Sequence, residues 1–347
     1  EINISKKIIK LPNFINRFSP IIRYIYVDFD IVNESNIDFE ENCINLLKHY
    51  NNKSNLDTKI MLLYIYYVPG TNIKNYINSI ELPYLYILNY TRTYLYLLSS
   101  INILNKINIA HNDLQNSNNI LFNTVKNKPI IIDFGLSYNL SKFYTFNKHF
   151  DLNYIKTLFF DFRLDHYQYN IDKRFILFMI NNRKNYYFIH NDTEKNNLTL
   201  NDIQIFIDDA YYSLNNNFEI SFFFTDEELQ FYKSSSINYY NKFLDKKLYP
   251  DYYHILKELI INNFYFCDIY SLSITYLNIY YSNFKKSIQS DKIDFTQTHV
   301  IFIILIQMFK KILIPHPLYR IDNKQFIQIF NFIIQYFKKI KLPFDYD

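Results

Sequence analysis

The chain has 347 residues, 49% hydrophobic and 20% charged, which suffices for one large core or two modest ones. Its formal net charge of +4 is too mild for nucleic-acid binding, which calls for a concentrated basic face. Two cysteines, Cys43 and Cys267, are too few for a disulfide framework and point to a reducing, cytoplasmic setting.

In chain order, Glu1–Lys10 lacks the uninterrupted apolar core of a signal peptide. Residues 19–29 (SPIIRYIYVDF) and 59–68 (KIMLLYIYYV) are β-branched and aromatic and read as strands, the second punctuated by Pro69 and Gly70. A helix is expected over 83–105, where Leu85, Leu88, Leu95, Leu98 and Ile101 recur near helical spacing. Short apolar runs follow at 107–110, 119–122 and 129–134, the last two separated by the polar turn Asn123–Lys128. They predict a strand, a loop and a hairpin lying under that helix. Beyond 139 the pattern predicts helices at 170–182, 200–214, 226–245, 254–281, 296–314 and 323–340. The most apolar stretch, Val300–Phe309, is about half the length that spans a bilayer, so it reads as a buried helix and no membrane segment is expected.

The composition holds 35 Tyr and 33 Phe but only two Gly and no Trp. AT-rich codon usage accounts for the bias. Its physical consequence is that each remaining glycine is expected where a side chain is not tolerated or where a turn needs backbone freedom.

The informative segment is HNDLQNSNNILF (His111–Phe122), followed by IIIDFGLSY (Ile130–Tyr138). An acid, an amide five residues later, a short hairpin and a second acid followed by Phe-Gly form a set suited to phosphoryl transfer. That reaction asks the protein to orient a hydroxyl and to hold Mg²⁺, a cation that prefers hard oxygen ligands, against phosphate. The loop and the D-F-G together resemble the protein-kinase-like superfamily. The resemblance implies that Asp113 is the catalytic base, that Asn118 and Asp133 hold Mg²⁺, and that His111 is structural, packing under Phe134 and Gly135. A second H-N-D at His190–Asp192 has no D-F-G after it and reads as a polar loop. MLLYIYYVPG resembles the family's fifth strand and hinge, which implies adenine contacts from the backbone of Tyr67 and Val68. CDIYSLSITYL (Cys267–Leu277) resembles the buried helix whose Asp, here Asp268, holds the catalytic loop; a helix-capping role suits that Asp as well. HPLYRIDNKQF resembles a late family segment whose Arg would be Arg320.

The chain also departs from the pattern. H-N-D replaces H-R-D, which removes the usual receptor for an activation-loop phosphate. Gln115 stands where Ser/Thr kinases carry Lys, and HNDLQ is similar to choline- and aminoglycoside-kinase loops as well. DFGLS is similar to small atypical protein kinases and to kinase-like proteins of large DNA viruses, for which the host cytoplasm would be the setting.

No Gly-rich loop is recognisable, and two N-lobe assignments stand open. In one, Arg23 replaces the phosphate-binding Lys, with Glu40 or Glu41 as its helix partner. In the other, Ile2–Lys10 is the regulatory helix and 19–29 the fourth strand. The Gly-rich loop and its Lys would then precede residue 1, Arg17 and Arg23 would be surface cations, and residues 1–347 alone would bind ATP poorly. Finally, 135 residues separate the two aspartates Asp133 and Asp268, far more than a usual activation segment, with Tyr249-Pro250-Asp251 a weak candidate for its A-P-E end.

The expectation is thus an α+β, protein-kinase-like fold. Residues 1–68 form an incomplete β-rich N-lobe. Residues 69–347 form a large helical C-lobe carrying a helical insertion at about 139–262, either structural or for acceptor docking. The expected function is ATP- and Mg²⁺-dependent transfer of the γ-phosphate to a Ser/Thr hydroxyl of a protein substrate. A small-molecule kinase and a pseudokinase scaffold are the alternatives.

Overall fold

The computed structural model describes residues 1–28, 59–81, 83–143, 149–151, 153–155, 169–180, 195–215 and 224–290, with short pieces between 307 and 335. The architecture is mixed α+β, predominantly helical with small sheets. Helix α1 (Ile2–Ile8) buries Ile4, Ser5 and Ile8 and leads into strands β1 (Phe18–Ser19) and β2 (Ile21–Asp28). Strand β3 (Lys59–Ile65) runs antiparallel to β2, with Arg23 opposite Tyr64. The expected strand at 59–68 therefore stops at Ile65, and residues 66–69 cross in irregular backbone to β4 (Gly70–Asn72).

Helix α2 (Ile73–Asn78) starts at Asn72, whose side chain accepts the Asn75 N–H. Helix α3 (Pro83–Lys106) follows, then β5 (Ile109–Ala110), β6 (Ile120–Asn123), β7 (Lys128–Ile132) and β8 (Tyr138–Asn139). Strands β1, β7, β6 and β4 form one four-stranded sheet in that order, and β5 pairs with β8. The predicted hairpin is present with Ile120 opposite Ile131.

The expected helices of the insertion are observed as α4 (Ile171–Ile180), α5 (Leu200–Asn215) and α6 (Asp226–Tyr240), the last opened by a capping box between Thr225 and Glu228. Helix α7 (Tyr252–Ser290) is 39 residues long, so the expected 254–281 helix is extended at both ends. Tyr249-Pro250-Asp251 marks its start: Asp251 accepts the N–H of His254, and the Pro250 carbonyl accepts the N–H of Asn196. Most of 296–314 and 323–340 lies outside the described residues, and so do Arg320, Glu40 and Glu41.

Two apolar clusters meet on α7. One packs α1, α3 and the β6–β7 hairpin against its middle; the other packs α4, α5 and Tyr138 against its first turns. Tyrosine supplies much of the area, and its buried hydroxyls are paired, because an unpaired one costs roughly 1–3 kcal/mol. Tyr90 donates to the Tyr276 carbonyl (2.7 Å), Tyr276 to Thr93 Oγ1 (2.8 Å), and Tyr94 shares a hydrogen bond with Ser273 (2.6 Å). Helices α3 and α7 are thus joined by rings and hydroxyls together.

Both glycines matter, for different reasons. A Cβ on Gly70 (φ 155°) would stand 1.9 Å from the Phe122 carbonyl oxygen across the β4–β6 pair. At Gly135 the expected need for backbone freedom is not met: its φ is outside the left-handed region, and Asp133 is the left-handed residue instead (φ 58°). What Gly135 provides is room, since a Cβ there would lie 3.1 Å from Asp133 Oδ1. Gly70→Ala is expected to cost on the order of 3 kcal/mol by forcing β4 off β6. Gly135→Ala should leave the melting temperature nearly unchanged. Thermal melts of the two variants check the contrast.

Candidate functional site

The loop joining β5 to β6 carries the H-N-D triplet, and its shape is set from α7. Asp268, buried in the interior of α7, accepts the backbone N–H of His111 at 2.6 Å and of Asn112 at 2.7 Å. Its mid-helix position excludes the capping role. Seven residues on, and so on the same face, Thr275 Oγ1 donates to the Leu114 carbonyl at 2.7 Å. The loop backbone is therefore gripped on both sides of Asp113. Ser137 Oγ adds a bond to the His111 carbonyl at 3.1 Å.

His111 is fully buried. Its Nε2 donates to the Ile132 carbonyl at 2.9 Å, immediately before Asp133. Its ring meets Phe134 edge-on at 5.0 Å, and Phe134 in turn meets Phe18 at 6.3 Å. This row of rings ties the loop to the segment after β7 and to β1.

The hairpin does the rest. With Ile120 paired to Ile131, its open end holds Asn118 and Asn119 across from Ile132 and Asp133. The two asparagines differ. Asn118 is exposed and its Oδ1 accepts from Asn72 Nδ2 at 3.1 Å. Asn119 is buried and turned to the acid: its Nδ2 donates to the Asp113 carboxylate (2.7 Å) and carbonyl (2.9 Å). Gln115 Nε2 donates to the other carboxylate oxygen at 2.6 Å. Gln115 thus points inward, at Asp113.

Partial burial pushes the Asp113 carboxyl above its ordinary range, and the negative charge of Asp133 adds to this; the Asn119 bond, His111 and Lys173 oppose it. Asp133 is exposed, with Oδ1 accepting the Gly135 N–H at 3.1 Å. Burial also raises Asp268, against the pull of its two N–H donors and of Lys173.

Sequence reasoning missed five residues here: Asn72, Asn119, Lys173, Thr275 and Glu1. Burial, and after it the Asp133 charge, raises the Glu1 carboxyl above its ordinary range. The second asparagine beside Asn118 was the visible signal for Asn119; the others have no local signature. Tyr67 and Val68 stand apart from the acids, at the crossing from β3 to β4, where Tyr67 is 81% exposed and Val68 is buried. Arg23 is exposed over the Tyr64 ring. Arg17, expected as a surface cation, is half-buried and fastened to α3 through Ser100 Oγ (3.0 Å) and the Tyr96 ring, because it lies where the chain passes over that helix. In the second H-N-D, His190 and Asp192 lie outside the described residues. Asn196 near it is a buried tie, donating to the Phe243 and Tyr249 carbonyls.

Among the described residues, no helix is long and apolar enough to cross a membrane. Asp268→Asn presents an amide to a backbone N–H that needs an acceptor, and should cost roughly 2–3 kcal/mol. Thr275→Val should cost about 1 kcal/mol. Urea titrations measure both, and equal midpoints for the two variants would contradict the unequal grip. Comparison with protein-family models finds no match, and no curated protein matches the chain.

Proposed function

We propose that the chain is a protein-kinase-like phosphotransferase that moves the γ-phosphate of ATP to a hydroxyl. The observation that carries the reading is the convergence of Asp113 and Asp133. One stands on a loop gripped by α7, the other at the open end of the β6–β7 hairpin, and the charge of Asp133 acts on Asp113. In protein kinases these positions are the base and the metal-binding acid.

Further support comes from the N-terminal part. A helix whose Ile4 and Ile8 share the core with Phe134, followed by two antiparallel strands, suits the assignment of α1 as the regulatory helix, β2 as the fourth strand and β3 as the fifth. Glu1 is then the helix glutamate that pairs with the phosphate-binding Lys in that family.

In this reading Asp113 orients the acceptor hydroxyl and takes its proton as the oxygen attacks the γ-phosphorus. Asn119 and Gln115 hold that carboxylate by both oxygens, fixing its aim. The donors at the hairpin mouth, the Asp133 carboxylate and the Asn118 amide oxygen, are all oxygen and fit Mg²⁺. When bound, Mg²⁺ neutralises charge on the ATP phosphates. The exposed Asn118–Asn72 bond is weak enough to yield to a cation, so Asn118 and Asp133 serve the metal while Asn119 serves the base. The backbone at Tyr67 and Val68 meets the adenine. The preferred acceptor is a protein Ser/Thr; choline or an aminoglycoside is the competing acceptor.

With Mg²⁺ and millimolar labelled ATP, transfer to a basic protein is expected to exceed transfer to choline. Asp113→Ala should reduce it on the order of 10²–10⁴-fold. Asp133→Asn should remove the Mg-ATP increase in melting temperature. Transfer that Asp113→Ala leaves unchanged would sink the reading. The pH profile supplies a separate check. The base works ionised, its carboxyl is already raised by burial, and Asn119 pulls it back down. Asn119→Ala should therefore move the acid limb of kcat/KM to higher pH. A limb that stays put would show that Asn119 has no hold on the base.

A further inference from the structure

A lysine from the insertion ends inside the catalytic loop. Lys173 sits in the first turn of α4 and is 2% exposed. Its backbone N–H is capped by Asn170 Oδ1 at 2.9 Å. Its ammonium donates to Asn112 Oδ1 at 2.8 Å and stands 3.8 Å from the centre of the Tyr169 ring. An ammonium loses several kcal/mol of hydration on burial, and the deficit must be met locally. Burial lowers its pKa to about 7, against the carboxylates of Asp268 and Asp113, which favour the ammonium.

The partner of Lys173 is the junction of the site. Asn112 has a left-handed backbone (φ 68°) and is 1% exposed. Its N–H goes to Asp268 on α7, and its side-chain Nδ2 donates to the Leu136 carbonyl, just after Gly135, at 3.3 Å. An amide can face either way, and an ammonium has only protons to offer. Lys173 therefore forces Oδ1 toward α4 and Nδ2 toward Leu136. Lys173 thereby fixes one of the bonds between the loop bearing Asp113 and the segment bearing Asp133, beside those of His111 to Ile132 and of Ser137 to His111.

We propose that Lys173 is a positioning residue through which the insertion, by orienting Asn112, holds the Asp113 loop and the Asp133 segment in one register. The H-N-D triplet lacks the arginine that would answer to a phosphorylated segment; here the chain itself supplies the cation, and the loop is ordered without modification. The catalytic consequence rests on the phosphotransferase reading, whereas the structural one does not.

The test compares wild type, K173M, N112G and the double variant. N112G removes the amide while keeping the left-handed backbone accessible. Hydrogen exchange reads the loop without any need for activity. K173M is expected to speed exchange in peptides covering 109–114 and 134–138 by about tenfold or more, leaving α3 peptides unchanged. Phosphate transfer should fall by about tenfold in kcat with a far smaller change in KM for ATP. The double variant should match the worse single variant within about twofold, since both cut one connection. Unchanged exchange in both segments of K173M overturns the proposal, and so do losses that multiply in the double variant. If K173M loses its cooperative melt, N112G decides by the same exchange criterion. If wild type transfers no phosphate, the exchange result still stands and the phosphotransferase reading alone fails.

Discussion

The site depends on one buried carboxylate. Asp268 lies in the middle of a long apolar helix, where an ionised side chain is expensive, and two backbone N–H groups of the H-N-D loop make it tolerable. The same two bonds leave His111 and Asn112 no freedom of backbone orientation, and Asp113 is the next residue. Thr275 takes the Leu114 carbonyl about 10 Å farther along the helix, a span set by the rise of 1.5 Å per residue. A loop otherwise free to flex is thereby referenced to a rigid rod at two points.

The rod is rigid because of the unusual composition. A core built with tyrosine carries many hydroxyls that must be paired, and here they bridge α3 to α7 or reach back to helix carbonyls. Directional bonds are added to apolar contact, so the two helices that carry the site resist sliding as well as separation. The insertion is continuous with this frame. Helix α7 belongs to both apolar clusters, and the insertion's Lys173 enters the loop itself. A segment bound that closely is part of the site's architecture.

The electrostatics follow from the geometry. Asp113 and Glu1 are both raised, chiefly by burial and further by the negative charge of Asp133. Such an arrangement favours the arrival of positive charge. This accords with the proposed use of Mg²⁺ and with the buried ammonium beside the loop.

The elements of the fold were largely legible in the sequence. The hairpin at 120–132, the helix at 83–106 and the three helices of the insertion follow from apolar periodicity, a local property. Asp113, Asp133 and Asp268 stood out in the sequence through short patterns that resemble a known family, and the structure bonds Asp268 to the loop before Asp113. What lay beyond reach were the partnerships: Lys173 with Asn112 and Thr275 with Leu114 join residues 61 and 161 positions apart, and no local spacing encodes them. The choice between Asn118 and Asn119 was equally hidden. They are adjacent and chemically identical, and only the short helical turn that holds them ahead of β6 sends one to solvent and the other to Asp113. Local pattern determined which residues could do chemistry; long-range packing decided which of them are held together to do it.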